Sequence, residues 1–373
     1  MGVEEKSLIN TAGEPEREVR SRRANLLEAL GVMLLLLVAL WWVAYPVGVL
    51  LRVQAGSLGG GALVAALLLF AGALSPRWHR DTLASWGLGN PLELARCLHR
   101  SRPPVQLALA GLLGTGVGLL TSELYYYATR AKQVSFGIEP SSSFHLQSML
   151  GSNAAVWALC LVIALVWTTC FIRYDNLWLA LRVAAALLAI LLPVLLLVAW
   201  GVNGPEVFRH GHARALIGNG LGYIFWGAMQ QLLFCSYFGT RLRKAFGPGQ
   251  TPAGRARKRL GVALLNGLFF GVVHMNSWLL VGFTWALGTI FAWFFMEDRY
   301  RNVQAFGLVH GVLGTFVLWL FSSGPATIRV RLRVGPWAMP HHLDVTMLVV
   351  GSGLIGALAL ALGAALKSGE REA

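Results

Sequence analysis

Charged residues are scarce in this 373-residue chain, and acidic residues are the scarcest of them. Only 13% of the residues are charged, about half the share of an ordinary soluble domain, and 17 acidic residues face 31 lysines and arginines. Hydrophobic residues make up 56% of the chain, and the mean hydropathy is +0.60. A soluble core of this length cannot cover that much apolar surface. A soluble globular enzyme and a disordered chain are therefore excluded.

Cysteine is also scarce, with four residues in the whole chain. Three of them, Cys160, Cys170 and Cys235, lie inside apolar runs, and no two form a CxxC pair. This spacing excludes a disulfide framework and a zinc knuckle.

Long apolar runs separated by short basic clusters dominate what remains. A stretch of about 20 apolar residues spans a bilayer as a helix. The sequence therefore predicts an all-α, polytopic helical membrane protein with about 8–10 transmembrane helices. Ten runs can be marked: 28–51, 59–75, 105–122, 154–172, 178–201, 218–240, 260–276, 278–296, 303–323 and 346–366.

The positive charges predict the orientation of these helices. Most lysines and arginines fall in alternate connections if the N-terminus is inside, which favours both termini in the cytoplasm. The net charge of +14 is thus explained by cytoplasmic loops in contact with a lipid bilayer, and we expect no nucleic-acid partner. An integral, multi-pass protein of a bacterial cytoplasmic membrane is the expected localisation.

The chain divides into four predicted parts. Residues 1–27 form a cytoplasmic tail, and 28–204 form a group of transmembrane helices with little polar content. Residues 205–323 carry the unusual polar residues. Residues 324–373 hold an outer loop, the last transmembrane helix and a short C-terminal tail.

Polar side chains concentrate in three of the later runs, where they are costly and therefore mark candidate function. Gln230 and Gln231 are adjacent near the middle of one run, and His310 lies in another. In the run between them, Asn266 and His274 are separated by two four-residue steps that also pass through Phe270, so the three share a helix face. Asn276 is the last residue of the same run.

Both histidine runs carry a Gly-xxx-Gly spacing, Gly267/Gly271 and Gly307/Gly311. Small residues at that spacing let helix backbones approach closely. Close approach would help to bring His274 and His310 to a common polar centre.

Each polar residue also has a purely structural interpretation. A single glutamine in a membrane helix commonly links two helices by a hydrogen bond, and a single histidine is commonly satisfied by a backbone carbonyl. A shared polar site is favoured because five such residues fall between positions 230 and 310: Gln230, Gln231, His274, Asn276 and His310.

The order of these residues resembles the CPBP intramembrane proteases, also called the Abi or CAAX-protease family. That family carries Glu-Glu-xxx-Arg on one helix, Phe-xxx-His on the next and His-xxx-Asn or His-xxx-Asp on a later one. Phe270 to His274 matches the second motif, and His310 matches the third, with Gly314 in place of Asn or Asp. The first motif aligns on Gln230, Gln231 and Cys235, so both glutamates and the arginine are replaced.

The resemblance implies an intramembrane endopeptidase that hydrolyses a peptide bond of a membrane-embedded or lipidated substrate. It implies catalytic roles for the histidines and glutamines, a divalent metal such as zinc on the two histidines, and substrate contacts from their neighbours. The expected catalytic residues are His274, His310, Gln230 and Gln231, and the expected substrate-binding residues are Phe270, Asn276, Asn266 and Cys235.

The loss of both glutamates leaves two other functions open, because a neutral amide cannot take a proton from water as a carboxylate can. One is a non-catalytic pseudoprotease that binds a membrane helix or peptide in the same cavity. The other is a small transporter whose polar residues line a path across the membrane.

Overall fold

The computed structural model describes residues 14–44, 66–67, 69–100, 102–130, 153–210, 213–247, 251–275, 278–322 and 345–368. Helices account for most of these residues, and no strand occurs among them. The predicted all-α fold is confirmed.

Twelve α-helices can be followed in chain order through the described residues. They are α1 (Glu14–Leu37), α2 (Ser75–Trp78), α3 (Pro91–Arg100), α4 (Pro103–Arg130), α5 (Asn153–Val166), α6 (Leu177–Asn203), α7 (Ala213–Gln231), α8 (Gly239–Phe246), α9 (Pro252–Val272), α10 (Trp278–Phe295), α11 (Val303–Ser322) and α12 (Val345–Ser368). Four π-helical stretches extend or join them: Val38–Ala44, Phe70–Leu74, Trp167–Phe171 and Leu232–Phe238. Short 3-10 turns occur at Ala84–Trp86, Pro205–His210 and Asp298–Tyr300.

Six helical segments are long and apolar enough to cross a membrane, so the chain is a polytopic membrane protein. They are Ser21–Val43, Ala154–Phe171, Leu177–Asn203, Trp278–Phe295, Val303–Phe321 and Leu348–Leu366. A shorter apolar helix covers Gln106–Ser122. Helix α7, which carries Gln231, and helix α9, which ends two residues before His274, do not meet the same criterion. About half of the predicted run 59–75 lies outside the described residues. The count of 8–10 therefore stays a prediction.

The first helix begins earlier than the sequence predicts. A tail is expected over residues 1–27, but α1 is helical from Glu14, and its membrane segment starts at Ser21. Asn25 in this early turn is buried, and its side-chain oxygen accepts a hydrogen bond from Arg241 at 2.7 Å. A tertiary contact thus holds the polar turn against the bundle, which apolar patterning alone does not reveal.

Glycines bring two pairs of helices into backbone contact. On α11, a Cβ atom at Gly311 would lie 2.4 Å from Ile224 Cα, and one at Gly307 would lie 2.5 Å from Ala228 Cβ. On α9, a Cβ at Gly267 would lie 2.6 Å from the Trp285 carbonyl oxygen of α10. The Gly307/Gly311 pair therefore joins α11 to the glutamine helix α7. The Gly267/Gly271 pair joins α9 to its hairpin partner α10 instead of to the other histidine helix.

Replacing Gly311 with alanine is expected to destabilise the protein by about 1–3 kcal/mol, the usual cost of overpacking a close contact. The new methyl group has backbone on the other side, which cannot rotate away. Thermal unfolding in detergent measures the effect. Gly353→Ala in α12 is the matched control, because nothing lies within 4 Å of its added Cβ. Equal unfolding temperatures for the two variants would contradict the packing argument.

Candidate functional site

The π-helical stretch after α7 carries a hydrogen-bonded chain of polar side chains to α11. The Cys235 thiol donates to Gln231 Oε1 at 2.8 Å, and Gln231 Nε2 lies 2.9 Å from His310 Nδ1. Because the amide oxygen is occupied by the thiol, the amide nitrogen must be the donor to the imidazole. His310 Nδ1 therefore accepts, and the proton of the neutral ring lies on Nε2.

His274 makes the opposite use of its ring. Its Nδ1 lies 2.9 Å from the carbonyl oxygen of Phe270, one turn earlier on α9. A carbonyl oxygen only accepts, so Nδ1 of His274 carries the proton, and Nε2 of the neutral ring is unprotonated. The two histidines are thus held in complementary states, one with an acceptor and one with a donor at Nε2.

Phe270 contacts both imidazoles. Its ring centroid lies 5.2 Å from that of His274 and 5.4 Å from that of His310, both in edge-to-face geometry. The ring also packs on Phe234 of the π-helical stretch, with centroids 4.9 Å apart. Phe270 is 1% exposed, and its buried ring packs against both imidazoles.

Unsatisfied buried amide groups occur on α7 and α9. Gln230 Oε1 is buried with no hydrogen-bond partner among the described residues. Asn266 is fully buried, and neither its side-chain oxygen nor its side-chain nitrogen has such a partner. Orphaned buried amides are costly, and a water or a ligand backbone would satisfy them.

The expected site residues are therefore distributed unevenly. The structure brings together Gln231, Cys235, Phe270, His274 and His310 through direct contacts. Gln230 adjoins Gln231 in the chain, and Asn266 lies on the face of α9 that carries Phe270, as the four-residue spacing predicts. Asn276 lies outside the described residues.

Within the described residues, the two histidines have no third protein ligand with which to hold a zinc ion, and the metal stays a prediction. A catalytic zinc has three protein ligands, and no group of three His, Cys, Asp or Glu that could hold a metal occurs within the part of the chain that the structure describes. In addition, a protonated His310 Nε2 has no lone pair to offer a metal. No chemical step is therefore assigned to a metal here.

A buried charged network, which the sequence motifs do not predict, joins α1, α8 and the segment after α2. Arg241 is fully buried and donates to Asn25 Oδ1 at 2.7 Å, to Ser75 Oγ at 3.1 Å and to Asp81 Oδ2. Lys244 also pairs with Asp81, whose side chain is 0% exposed. An arginine directly after an apolar run was the signal available, but its partners are 160 and 216 residues away.

Glu28 belongs to this network and not to the histidine site. Its carboxylate accepts from Ser75 Oγ at 2.5 Å, lies 2.6 Å from His79 Nε2 and is 3.3 Å from Arg241 Nε. Tyr237, beside Glu28, is six residues beyond Gln231, near the far end of the π-helical stretch. Glu28 is thus held in the Arg241 network and does not supply a carboxylate at the histidine site.

A second polar cluster ties three connections together at the same end of the helices. Arg173 pairs with Asp175 at 2.8 Å and with Asp298 at 3.1 Å, and Asn302 donates to the Arg173 carbonyl oxygen at 2.8 Å. The hydrogen bonds to Arg173 hold the pKa of Asp298 below its ordinary value, against the opposing effect of burial. We call this end of the bundle, where Arg173, Arg241, Arg243, Lys244 and Arg301 lie, the basic end.

The segment 84–90 packs at the basic end against the π-helical stretch after α7 and the start of α11. Ser236 Oγ donates to the Trp86 carbonyl oxygen at 2.6 Å. The Val303 backbone N–H donates to the Gly87 carbonyl oxygen at 3.1 Å. Gly87 has a φ of 71°, and an added Cβ would lie 2.7 Å from the Phe295 ring, so both its conformation and its space require glycine.

No protein-family model, curated protein or solved structure matches the chain.

Proposed function

We propose that the chain is an intramembrane endopeptidase of the CPBP type, in which a histidine replaces the missing glutamate as the base. Its substrate is a membrane-embedded or lipidated peptide, and its location is a bacterial cytoplasmic membrane. The observation that carries the proposal is the complementary protonation of two histidines that share contacts with one phenylalanine. The Phe-xxx-His spacing and the order of the motifs support the same family.

The reaction follows from these protonation states. The unprotonated Nε2 of His274 takes a proton from water while the water oxygen attacks the peptide carbonyl carbon. The Nε2–H of His310 donates a hydrogen bond to the developing oxyanion. His274 then returns its proton to the leaving amide nitrogen as the C–N bond breaks.

The polar side chains around the two histidines orient them or offer hydrogen bonds to the substrate. Gln231 fixes the tautomer of His310, and the Cys235 thiol fixes the orientation of Gln231. We therefore class these two as positioning residues. The orphaned Oε1 of Gln230 accepts from the attacking water or from a substrate N–H, and Asn266 offers one donor and one acceptor to a peptide backbone.

Cleavage assays test the proposal directly. The protein is reconstituted in liposomes with a panel of transmembrane and prenylated peptides. The His274→Ala variant lacks the base, so its cleavage rate is expected to be about 10²-fold or more below that of the wild type. His99→Ala is the matched control, because His99 is exposed at the end of α3. Cleavage that is unchanged in His274→Ala would refute the assigned base.

A non-catalytic pseudoprotease is the second candidate, and one observation favours it. Gln231 stands where the family has a glutamate, and both ends of its amide are already bonded within the protein. In that case the wild type binds a peptide of the panel without cleaving it. His274→Ala then weakens binding, whereas His99→Ala does not.

A further inference from the structure

Helix α3 is a short helix that is fixed to the basic end. The segment before it is held there, because Arg173 donates to the Ala84 carbonyl oxygen at 3.2 Å and the Gly89 backbone N–H donates to that of Cys170 at 2.7 Å. Asn90 then caps the helix, since its Oδ1 accepts from the Leu92 backbone N–H at 3.0 Å. With 10 residues, α3 is about 15 Å long, half of what a bilayer requires. It is therefore too short to cross a membrane.

The two sides of α3 differ in character. Leu94 is buried, and Leu98, one turn later, is half-buried, so this side packs on the protein. Leu92, Arg96 and Arg100 follow one another at four-residue steps and form one row on the helix surface. All three are exposed, and Leu92 is 66% exposed. We call these three residues the α3 row.

The two arginines of the α3 row have no carboxylate to pair with. Neither Arg96 nor Arg100 makes an ion pair or a side-chain hydrogen bond with another residue of the part that the structure describes. Arg173 and Arg241, at the same end, are both paired with carboxylates. Between residues 91 and 102 the sequence has three arginines and one glutamate. The segment is therefore positive, and its exposed guanidinium groups can each donate to an anion.

The neighbouring helices place α3 at the level of the lipid headgroups. Two residues after α3 the chain enters α4, whose apolar part begins at Gln106 and exposes Leu107. At the same end, membrane helix α6 begins with Trp178, which is 78% exposed, and Arg182 is exposed one turn further on. Exposed tryptophans and arginines at the ends of membrane helices are typical of the boundary between headgroups and acyl chains.

We propose that the α3 row binds the headgroups of anionic phospholipids. The guanidinium groups of Arg96 and Arg100 donate to lipid phosphates, whose geometry a planar fork matches, and Leu92 contacts the acyl chains below them. Lipid is favoured over a partner in water because large apolar side chains, Leu107 and Trp178, are exposed beside the same boundary. The proposal does not depend on peptidase activity.

The retained lipid of the full-length protein tests the proposal. The protein is placed in nanodiscs of equal parts phosphatidylcholine and phosphatidylglycerol and is then extracted into mild detergent. Mass spectrometry measures the ratio of phosphatidylglycerol to phosphatidylcholine that stays bound. We expect Arg96→Gln/Arg100→Gln to lower this ratio by about fivefold or more, because one cation near an anionic surface contributes about fivefold to binding. Both side chains are exposed, so the variant should fold, and thermal unfolding verifies this.

Arg255→Gln/Arg257→Gln is the matched control. It removes the same charge from two exposed positions in the first turns of α9, which lie two residues apart and therefore on different sides of the helix. The ratio of this control should equal that of the wild type. An equal fall in the two double variants would show that total charge determines retention, and it would overturn the proposal. An unchanged ratio in the α3 variant would also overturn it and would assign the α3 row to a partner in water.

Ionic strength gives a second readout of the same contact. Raising it from about 0.01 M to about 1 M shortens the Debye length from about 30 Å to about 3 Å, so contacts between exposed charges weaken. The ratio of the wild type should fall toward that of the α3 variant, whose own ratio should change less. A wild-type ratio that does not respond to salt would contradict binding through exposed guanidinium groups.

Discussion

Replacing Asp81 with asparagine is expected to lower the free energy of unfolding by about 3–5 kcal/mol, the cost of breaking a buried ion pair. Asp81 accepts from Arg241, Lys244 and Trp86, and its side chain is 0% exposed. The amide would leave the fully buried Arg241 guanidinium without its closest anion. Chemical unfolding in detergent, followed by tryptophan fluorescence, measures the loss.

Asp175→Asn is the matched control for this prediction. Asp175 also pairs with an arginine, but its side chain is 55% exposed, and Arg173 keeps Asp298 as a partner. Solvent screens such pairs, so a change of about 1 kcal/mol or less is expected. Similar losses in the two variants would show that burial of the Asp81 pair is not the reason for its strength.

The same pair makes stability depend on pH. Burial alone would raise the pKa of Asp81, but the hydrogen bond from Lys244 and the charge of Arg241 outweigh it and hold the pKa below its ordinary value of 3.8. A group whose pKa is lower in the folded state than in the unfolded state stabilises the protein fully above its unfolded pKa. This contribution is lost as the pH falls from the unfolded pKa through the folded pKa. The wild type should therefore lose this contribution below pH 3.8, whereas Asp81→Asn should not.

Replacing Gln230 and Gln231 together with glutamates is expected to raise the peptide-cleavage rate above that of the wild type, and by about 10²–10⁴-fold in the His274→Ala background, which has no other base. A carboxylate at position 231 can only accept, so the proton of His310 moves to Nδ1, and its Nε2 gains a lone pair. A carboxylate at position 230 supplies the base that the family uses. Cleavage assays measure the gain, and ¹⁵N NMR of labelled histidine reports the change of tautomer.

Gln304→Glu is the matched control for the double variant. Gln304 also lies on a membrane helix, and its Oε1 accepts from Trp167 Nε1 at 3.0 Å, a bond that a glutamate can keep. It introduces a carboxylate away from the histidines and is expected to leave cleavage unchanged. If the double variant folds and cleaves no faster than the wild type, the motif helices do not form the expected peptidase site.

The helices and the shared face of α9 could be predicted from the sequence because they depend on local patterns. Apolar runs of membrane length specify helices wherever they occur, and three residues at four-residue steps share one face in any helix. Thus Asn266, Phe270 and His274 are all buried, as their spacing implies. The close approach of Gly307 and Gly311 to a neighbouring helix was likewise encoded by residue size.

Tertiary structure alone decided which helix each glycine pair contacts and which atoms meet. The sequence placed Gln231 and His310 in different runs, but only the packing of α7 on α11 makes their 2.9 Å contact and assigns the two tautomers. Likewise, nothing local links Arg241 to Asp81, 160 residues away. Apolar patterning and charge counts determine that the chain forms helices in a membrane. The partner of each buried polar group depends on distances between distant segments, which no local pattern contains.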